Sequence, residues 1–203
     1  MRIGLGIGFP PVVGLTGPNA SGKGEVAKFL AAHGFSVHSL SDVVREAATA
    51  EGLAHTRDNL IAVGVRLREA GGPGALARQI LERLKGCAVV DSIRSPGEVA
   101  VLRTLPRFVL LGIDAPLALR FERSIRRGRT GDGTTLDEFA SKEARENSRT
   151  ETGQQLVATL ALADRLIRND DTLEVLHAGA RSVLQDLGID VEAPEGRGAE
   201  GVQ

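Results

Sequence analysis

Seven residues near the start of the chain, Gly17-Pro18-Asn19-Ala20-Ser21-Gly22-Lys23, limit what it can fold into more than any other stretch. They fit the spacing G-x-x-x-x-G-K, and their surroundings agree with it. Before them, Val12-Val13-Gly14-Leu15-Thr16 reads as a buried strand. After them, Lys23 to His33 reads as a helix with Val26, Ala27, Phe29 and Leu30 on its apolar face. A loop between a strand and a helix start aims backbone N–H groups at one point. Its glycines let the backbone come close to an anion, the helix start adds its dipole, and Lys23 adds a mobile charge. The pattern predicts a phosphate cradle in which Gly17, Asn19, Ala20, Ser21, Gly22, Lys23, Gly24 and Glu25 hold the phosphates of a nucleotide. A Gly-rich turn that binds nothing is the alternative. Residue 24 is Gly where Ser or Thr commonly meets magnesium.

Downstream, short apolar runs alternate with longer helical patterns, which argues for an α/β fold with a mostly parallel sheet. Phe35 to His38, Cys87 to Asp91, Phe108 to Ile113 and Arg165 to Arg168 read as further strands. Helices are expected from Ser41 or Asp42 to about Glu51, from Thr56 onward, and from Pro73 through Leu84. Ser95-Pro96-Gly97-Glu98 is a helix start, with Ser as cap, Pro in the first position and Glu in the third. More helices are expected from Pro116, from Thr135 to Ser148, from Gln154 to Ala163 and from Thr172 to Leu187. A length of 203 residues suits one domain with a full core. The Gly- and Glu-rich segment 190–203 reads as a disordered tail.

Composition removes several classes of function. The net charge of -1 gives no broad electrostatic case for nucleic acid or a membrane surface. No apolar stretch approaches a membrane span, and the opening residues do not read as a signal peptide. Trp and Tyr are absent, so stacking platforms for single strands are poorly supplied. The one cysteine, Cys87, suits a reducing cytoplasm and reads as a small buried hydrophobe.

Three further segments carry charge that suits phosphate. In Ser39-Leu40-Ser41-Asp42-Val43-Val44-Arg45 the guanidinium of Arg45 matches a phosphate bidentately, although a surface arginine on a solvated helix looks the same. Asp91 and Arg94 follow the third strand, and open α/β sheets gather ligands at the carboxyl ends of their strands. A turn or helix-capping role is the alternative for Asp91. Arg120, Arg123, Arg126, Arg127 and Arg129 crowd one stretch that continues to Asp132. Arg120, Arg123 and Arg127 share a helical face, which could be a solvated basic face or a phosphate-directed one.

Together with the cradle, these segments resemble P-loop nucleoside monophosphate kinases, of the adenylate-kinase-like and dephospho-coenzyme A kinase-like kind. Lys23-Gly24 resembles the adenylate-kinase branch, where magnesium is held largely through water. Asp91-Ser92-Ile93-Arg94 looks like that family's Asp-Gly-Ile-Arg run, with Ser92 in place of Gly. The pattern most closely resembles an archaeal and bacterial group of adenylate-kinase-like proteins, from about Val12 to Leu187. Asn59-Leu60, Leu67-Arg68-Glu69, Gly72-Pro73-Gly74, Ala163-Asp164 and Asn169-Asp170 also carry this resemblance.

The resemblance implies a three-layer P-loop sandwich with a five-stranded parallel sheet flanked by helices. It implies one kinase domain over residues 1–189, with a helical acceptor-binding insert at about 41–85 and a lid at about 120–150. The cofactors it implies are ATP and Mg2+. Lys23, Asp91, Arg123, Arg127 and Arg129 would serve catalysis, with Asp91 holding the metal through water. Arg123 and Asn169 would join the cradle in binding the nucleotide. Asp42, Arg45, Arg66, Arg94 and Glu98 would bind a small phosphate-bearing acceptor, with Arg68 a further candidate for that pocket. The implied activity is γ-phosphoryl transfer to a nucleoside or deoxynucleoside monophosphate. A dephospho-coenzyme A kinase and a nucleotide-binding regulatory or assembly ATPase are the alternatives.

Overall fold

The computed structural model describes residues 9–128, 131–147 and 150–191. Five strands form one sheet: β1 (Val12–Thr16), β2 (Ser36–Ser39), β3 (Ala88–Ile93), β4 (Phe108–Asp114) and β5 (Arg165–Arg168). Their order is β2-β3-β1-β4-β5, and every neighbouring pair is parallel. Helices fill the crossovers: α1 (Lys23–Ala32), α2 (Leu40–Ala50), α3 (Arg57–Gly71), α4 (Ala75–Leu81), α5 (Pro96–Leu102), α6 (Leu117–Arg127), α7 (Leu136–Glu146), α8 (Leu156–Leu160) and α9 (Leu173–Asp186).

The two-residue period of the strands sorts side chains into two cores, and that makes the fold three layers deep. Val13 and Leu15 of β1, Val89 of β3, and Leu111 and Ile113 of β4 face α1 and α9. Val12, Ala88, Val90, Ile93 and Leu110 face α2 to α5 on the other side. Gly14 points to that second face, where a Cβ would lie 2.6 Å from the Phe108 ring and 2.7 Å from Ile93. The strand centre therefore has room for a ring only because residue 14 has no side chain.

Local signals placed most of the elements. Ser95 and Glu98 form the full reciprocal capping box at α5, and the Thr56, Thr135 and Thr172 hydroxyls cap α3, α7 and α9. Several boundaries differ from expectation. Ser39 caps α2, because the helix starts at Leu40 directly out of β2 with no intervening loop. Helix α4 begins two residues after Pro73 and ends at Leu81, because Gly74 packs tightly on Gly97 and Val101 before the helix can begin. Helix α8 covers only Leu156–Leu160. The expected tail begins too early: Val191 is 1% exposed in the core with α1 and α9, and Arg181 Nη1 donates to its carbonyl at 2.8 Å. The rest of that segment, 192–203, lies outside the described residues.

Strand β3 runs past Asp91 with an irregularity. Gly14 pairs with Val90 and Thr16 with Ile93, so β3 carries one residue more than β1 over this step. Such a bulge bends its strand and re-aims a side chain. Ser92 absorbs it at φ 65°, the left-handed region where the resembled family has Gly.

Candidate functional site

The loop between β1 and α1 has the shape the motif predicts. Gly17 has φ 139°, and a Cβ there would lie 2.0 Å from the Ile113 carbonyl oxygen, so only glycine fits. Ala20 lies at φ 59° and Gly22 at φ 109°, and α1 starts at Lys23. The Lys23 ammonium folds back and donates to the carbonyls of Gly17 and Pro18, both at 2.8 Å. Burial lowers its pKa to about 8; the Asp91 carboxylate pulls it up, while Arg94, Arg120 and Arg127 push it down. The Ser21 hydroxyl is buried with no partner. Gly24 faces open space.

Asp91 lies at the carboxyl end of β3, next to the loop. Its Oδ2 accepts from the Ser92 hydroxyl at 3.3 Å, and Ser39 donates to Ser92 at 3.2 Å. Its Oδ1 is buried with no hydrogen-bond partner. A buried carboxylate oxygen without a donor is costly, and water around a divalent cation would supply what it lacks. The residues present thus fit the water-mediated metal role.

A cavity of about 530 Å³ opens between the loop, the end of β3 and helices α2 and α3. Leu40, Val44, Leu60, Ile61 and Leu76 give it apolar walls, and Arg45, Arg57 and Arg94 give it charge. Arg94 is held in place by its neighbours: its backbone N–H donates to Glu98 Oε2 at 2.8 Å and its Nη1 to Gln154 Oε1 at 2.7 Å. Glu98 is fully buried, and its other oxygen accepts from Arg68 Nε at 3.1 Å and Nη2 at 2.6 Å. Its oxygens are thus committed to Arg68, Arg94 and Ser95, which makes it a brace for the site and leaves no oxygen for an acceptor. Arg66 points the other way along α3, where it pairs with Glu51 on the exposed surface. Asp42 pairs with Arg45 on an exposed face and does not line the cavity. These three expected acceptor contacts therefore need correction, whereas Arg45 and Arg94 both face the cavity.

The arginine cluster is α6, and its shared face points at the loop. Arg120 is 7% exposed and donates to Ala115 O at 2.9 Å, Asn19 O at 3.3 Å and Glu143 Oε1 at 2.6 Å. Arg127 reaches Asn19 Oδ1 at 3.0 Å. Arg123 donates to Asn169 O at 3.1 Å and Oδ1 at 3.3 Å, and burial lowers its pKa, with Arg126 adding to the effect. Asn169 in turn donates to Ser21 O at 2.8 Å, so it ties α6 to the loop. Arg129 lies outside the described residues. Arg57 and Gln154 line the cavity without any motif to announce them, and Asp132, where the arginine-rich stretch ends, lines it too. The one signal for Arg57 was its place after the Thr56 cap.

The chain is similar to known proteins. The model of the family described as AAA domain matches residues 16–140. A UPF0200 protein of Pyrococcus horikoshii is 37% identical over 186 residues, covering 87% of this chain and 97% of its own. The chain belongs to the UPF0200 family. Among solved structures, TT1252 from Thermus thermophilus is 23% identical at TM-score 0.58, with 89% of this chain and 99% of that chain covered. Shikimate kinase from Acinetobacter baumannii, in complex with shikimate, is 14% identical at TM-score 0.55, covering 88% and 93%. At these identities the likeness is one of fold: this UPF0200 protein has the P-loop kinase-like fold, a five-stranded parallel sheet flanked by helices. No helix among its described residues is long and apolar enough to cross a membrane.

Proposed function

We propose that this UPF0200 protein transfers the γ-phosphoryl group of ATP to a nucleoside or deoxynucleoside monophosphate. One observation carries the reading: an apolar-walled cavity with arginines at its mouth opens directly beside the phosphate cradle. A flat, partly apolar base suits Leu40, Val44, Leu60, Ile61 and Leu76, and a monophosphate suits Arg45 and Arg94.

Transfer needs an acceptor phosphate oxygen to attack the γ-phosphorus as the bond to the β,γ-bridging oxygen breaks and ADP leaves. The enzyme's work is positioning and charge stabilisation. Backbone N–H groups of residues 19–24 hold the donor phosphates. The Lys23 ammonium turns from Gly17 O and Pro18 O to the outer phosphates. Arg123 and Arg127 of α6 bring positive charge to the moving group. Glu98 and Gln154 hold Arg94 against the acceptor. Magnesium would supply charge neutralisation of the phosphates, held through water by Asp91, whose unpaired oxygen supports this role. The missing hydroxyl at Gly24 agrees with a metal reached mainly through water.

A coupled assay with ATP, Mg2+ and a panel of ribo- and deoxyribonucleoside monophosphates, plus dephospho-coenzyme A, tests the reading. ADP formation dependent on at least one monophosphate is expected. Turnover with none of them overturns it, and faster turnover of dephospho-coenzyme A moves the acceptor to that class.

A further inference from the structure

Beside the cradle, three donors from three separate segments meet on one carboxylate. Asp132 follows α6 and is 8% exposed. Its Oδ1 accepts from Asn19 Nδ2 of the loop at 3.1 Å and from Arg57 Nη1 of α3 at 2.8 Å. Its Oδ2 accepts from Arg127 Nη2 of α6 at 2.6 Å. Asn19, Arg57 and Asp132 all line the cavity, so the junction lies where the cradle opens into it. The side chain of Arg57 is 20% exposed and that of Asp132 11%, so water screens this cluster less than an ordinary surface pair.

Two guanidinia and an amide N–H around two oxygens is a donor set for a phosphoryl group as much as for a carboxylate. Asp132 is a side chain of the chain itself, and it occupies a place that the loop, α6 and α3 all reach. A group held there by Asn19 and Arg127 lies on the donor side, and one held by Arg57 lies on the acceptor side.

We propose that Asn19, Arg57 and Arg127 form an anion site for the terminal phosphoryl group of the nucleotide, which Asp132 fills until the nucleotide arrives. This deepens the phosphotransferase reading and rests on it for the name of the ligand. The nucleotide's terminal oxygens take the three donors, and the Asp132 carboxylate moves away as a solvated anion with no bond made or broken. Arg57 is then a residue of phosphoryl recognition supplied by the acceptor-side helix. Donor binding then keeps the first turn of α3 at the loop, where Asp132 holds it without ligand.

A side chain that fills a site competes with the ligand for it. An occupied fraction of nine-tenths lowers apparent affinity about tenfold. The test is isothermal titration of the intact protein with inorganic tripolyphosphate, without metal or acceptor. Asp132→Asn is expected to bind tripolyphosphate about tenfold tighter than the natural protein. In the Arg57→Gln background the same substitution should give less than half that gain, because the released donor is gone. Asp132→Ser reads the same sign should Asp132→Asn not fold. Apo Asp132→Asn should also melt below the natural protein and gain more stability from tripolyphosphate than the natural protein does, which loss of a purely structural carboxylate would not produce. Unchanged or weaker tripolyphosphate binding in Asp132→Asn overturns the proposal, as does a gain that Arg57→Gln leaves intact. An inactive acceptor panel alongside tighter tripolyphosphate binding would keep the anion site and remove only the monophosphate acceptor.

Discussion

The lysine of the cradle should report nucleotide binding as a proton. Burial sets the Lys23 pKa at about 8 against the ordinary 10.5. The difference corresponds to a penalty of about 3 kcal/mol on the charged form in the folded protein without ligand. Below pH 8 both folded and unfolded chains carry the proton, and the penalty stands in full. Between pH 8 and 10.5 the folded chain gives the proton up while the unfolded chain keeps it, so this group makes the protein more stable as pH rises. Nucleotide phosphates give the ammonium a counter-charge and bring its pKa back up. At about pH 9 the phosphates of ATP are fully ionised, so binding should take up about nine-tenths of a proton, all of it on Lys23. Calorimetry in two buffers of different ionisation enthalpy measures that number directly. Near pH 7 the Lys23 share should fall to about a tenth, and above pH 8 affinity should drop about tenfold per pH unit. Lys23→Met should abolish the uptake. Binding at pH 9 with no proton taken up would refute the argument.

Two other outcomes follow from packing. Gly24→Ala should stabilise the protein by about 0.4–1 kcal/mol in urea melts, because the site is open and the unfolded chain loses freedom. Arg68→Ala should destabilise it by about 3–5 kcal/mol, because it leaves Glu98 charged and buried with half its partners gone. Because Glu98 also holds the Arg94 backbone, the KM for the acceptor should rise in that variant more than kcat falls.

The sequence made the core of the fold and the cradle readable for a physical reason. Both depend on local order: a two-residue period in the strands, a capping box at Ser95, a glycine where a carbonyl leaves no room. The strand starting at Ala88 was visible, but its bulge at Ser92 was not, since nothing in a run of small residues marks an extra one. The acceptor side was harder. Arg45, Arg66, Arg68 and Arg94 look alike in sequence, and only the direction of each helix face separates Arg45 in the cavity from Arg66 on Glu51. Glu98 was expected at the acceptor on the resemblance, although its own spacing marked it as a capping residue. Its oxygens went to the capping box and to Arg68, a residue 30 positions away. The contacts of Arg57 with Asp132 and of Gln154 with Arg94 span 60 or more positions, which no spacing records.

The place of Val191 says something about how the chain is born. It packs into the same core as Val13 and Leu15 of β1, beneath the loop that follows. Strand β1 lies at the centre of the sheet, between β3 and β4. The phosphate loop therefore leaves a ribosome well before Val191 does, and the core beneath it is completed only when that residue arrives. A nascent chain carries an exposed central strand and an unfinished nucleotide site until residue 191 has emerged, and nonlocal pairing of this kind folds slowly. Nucleotide would then act on newly made protein as well as on mature protein, by favouring the last closure of the core.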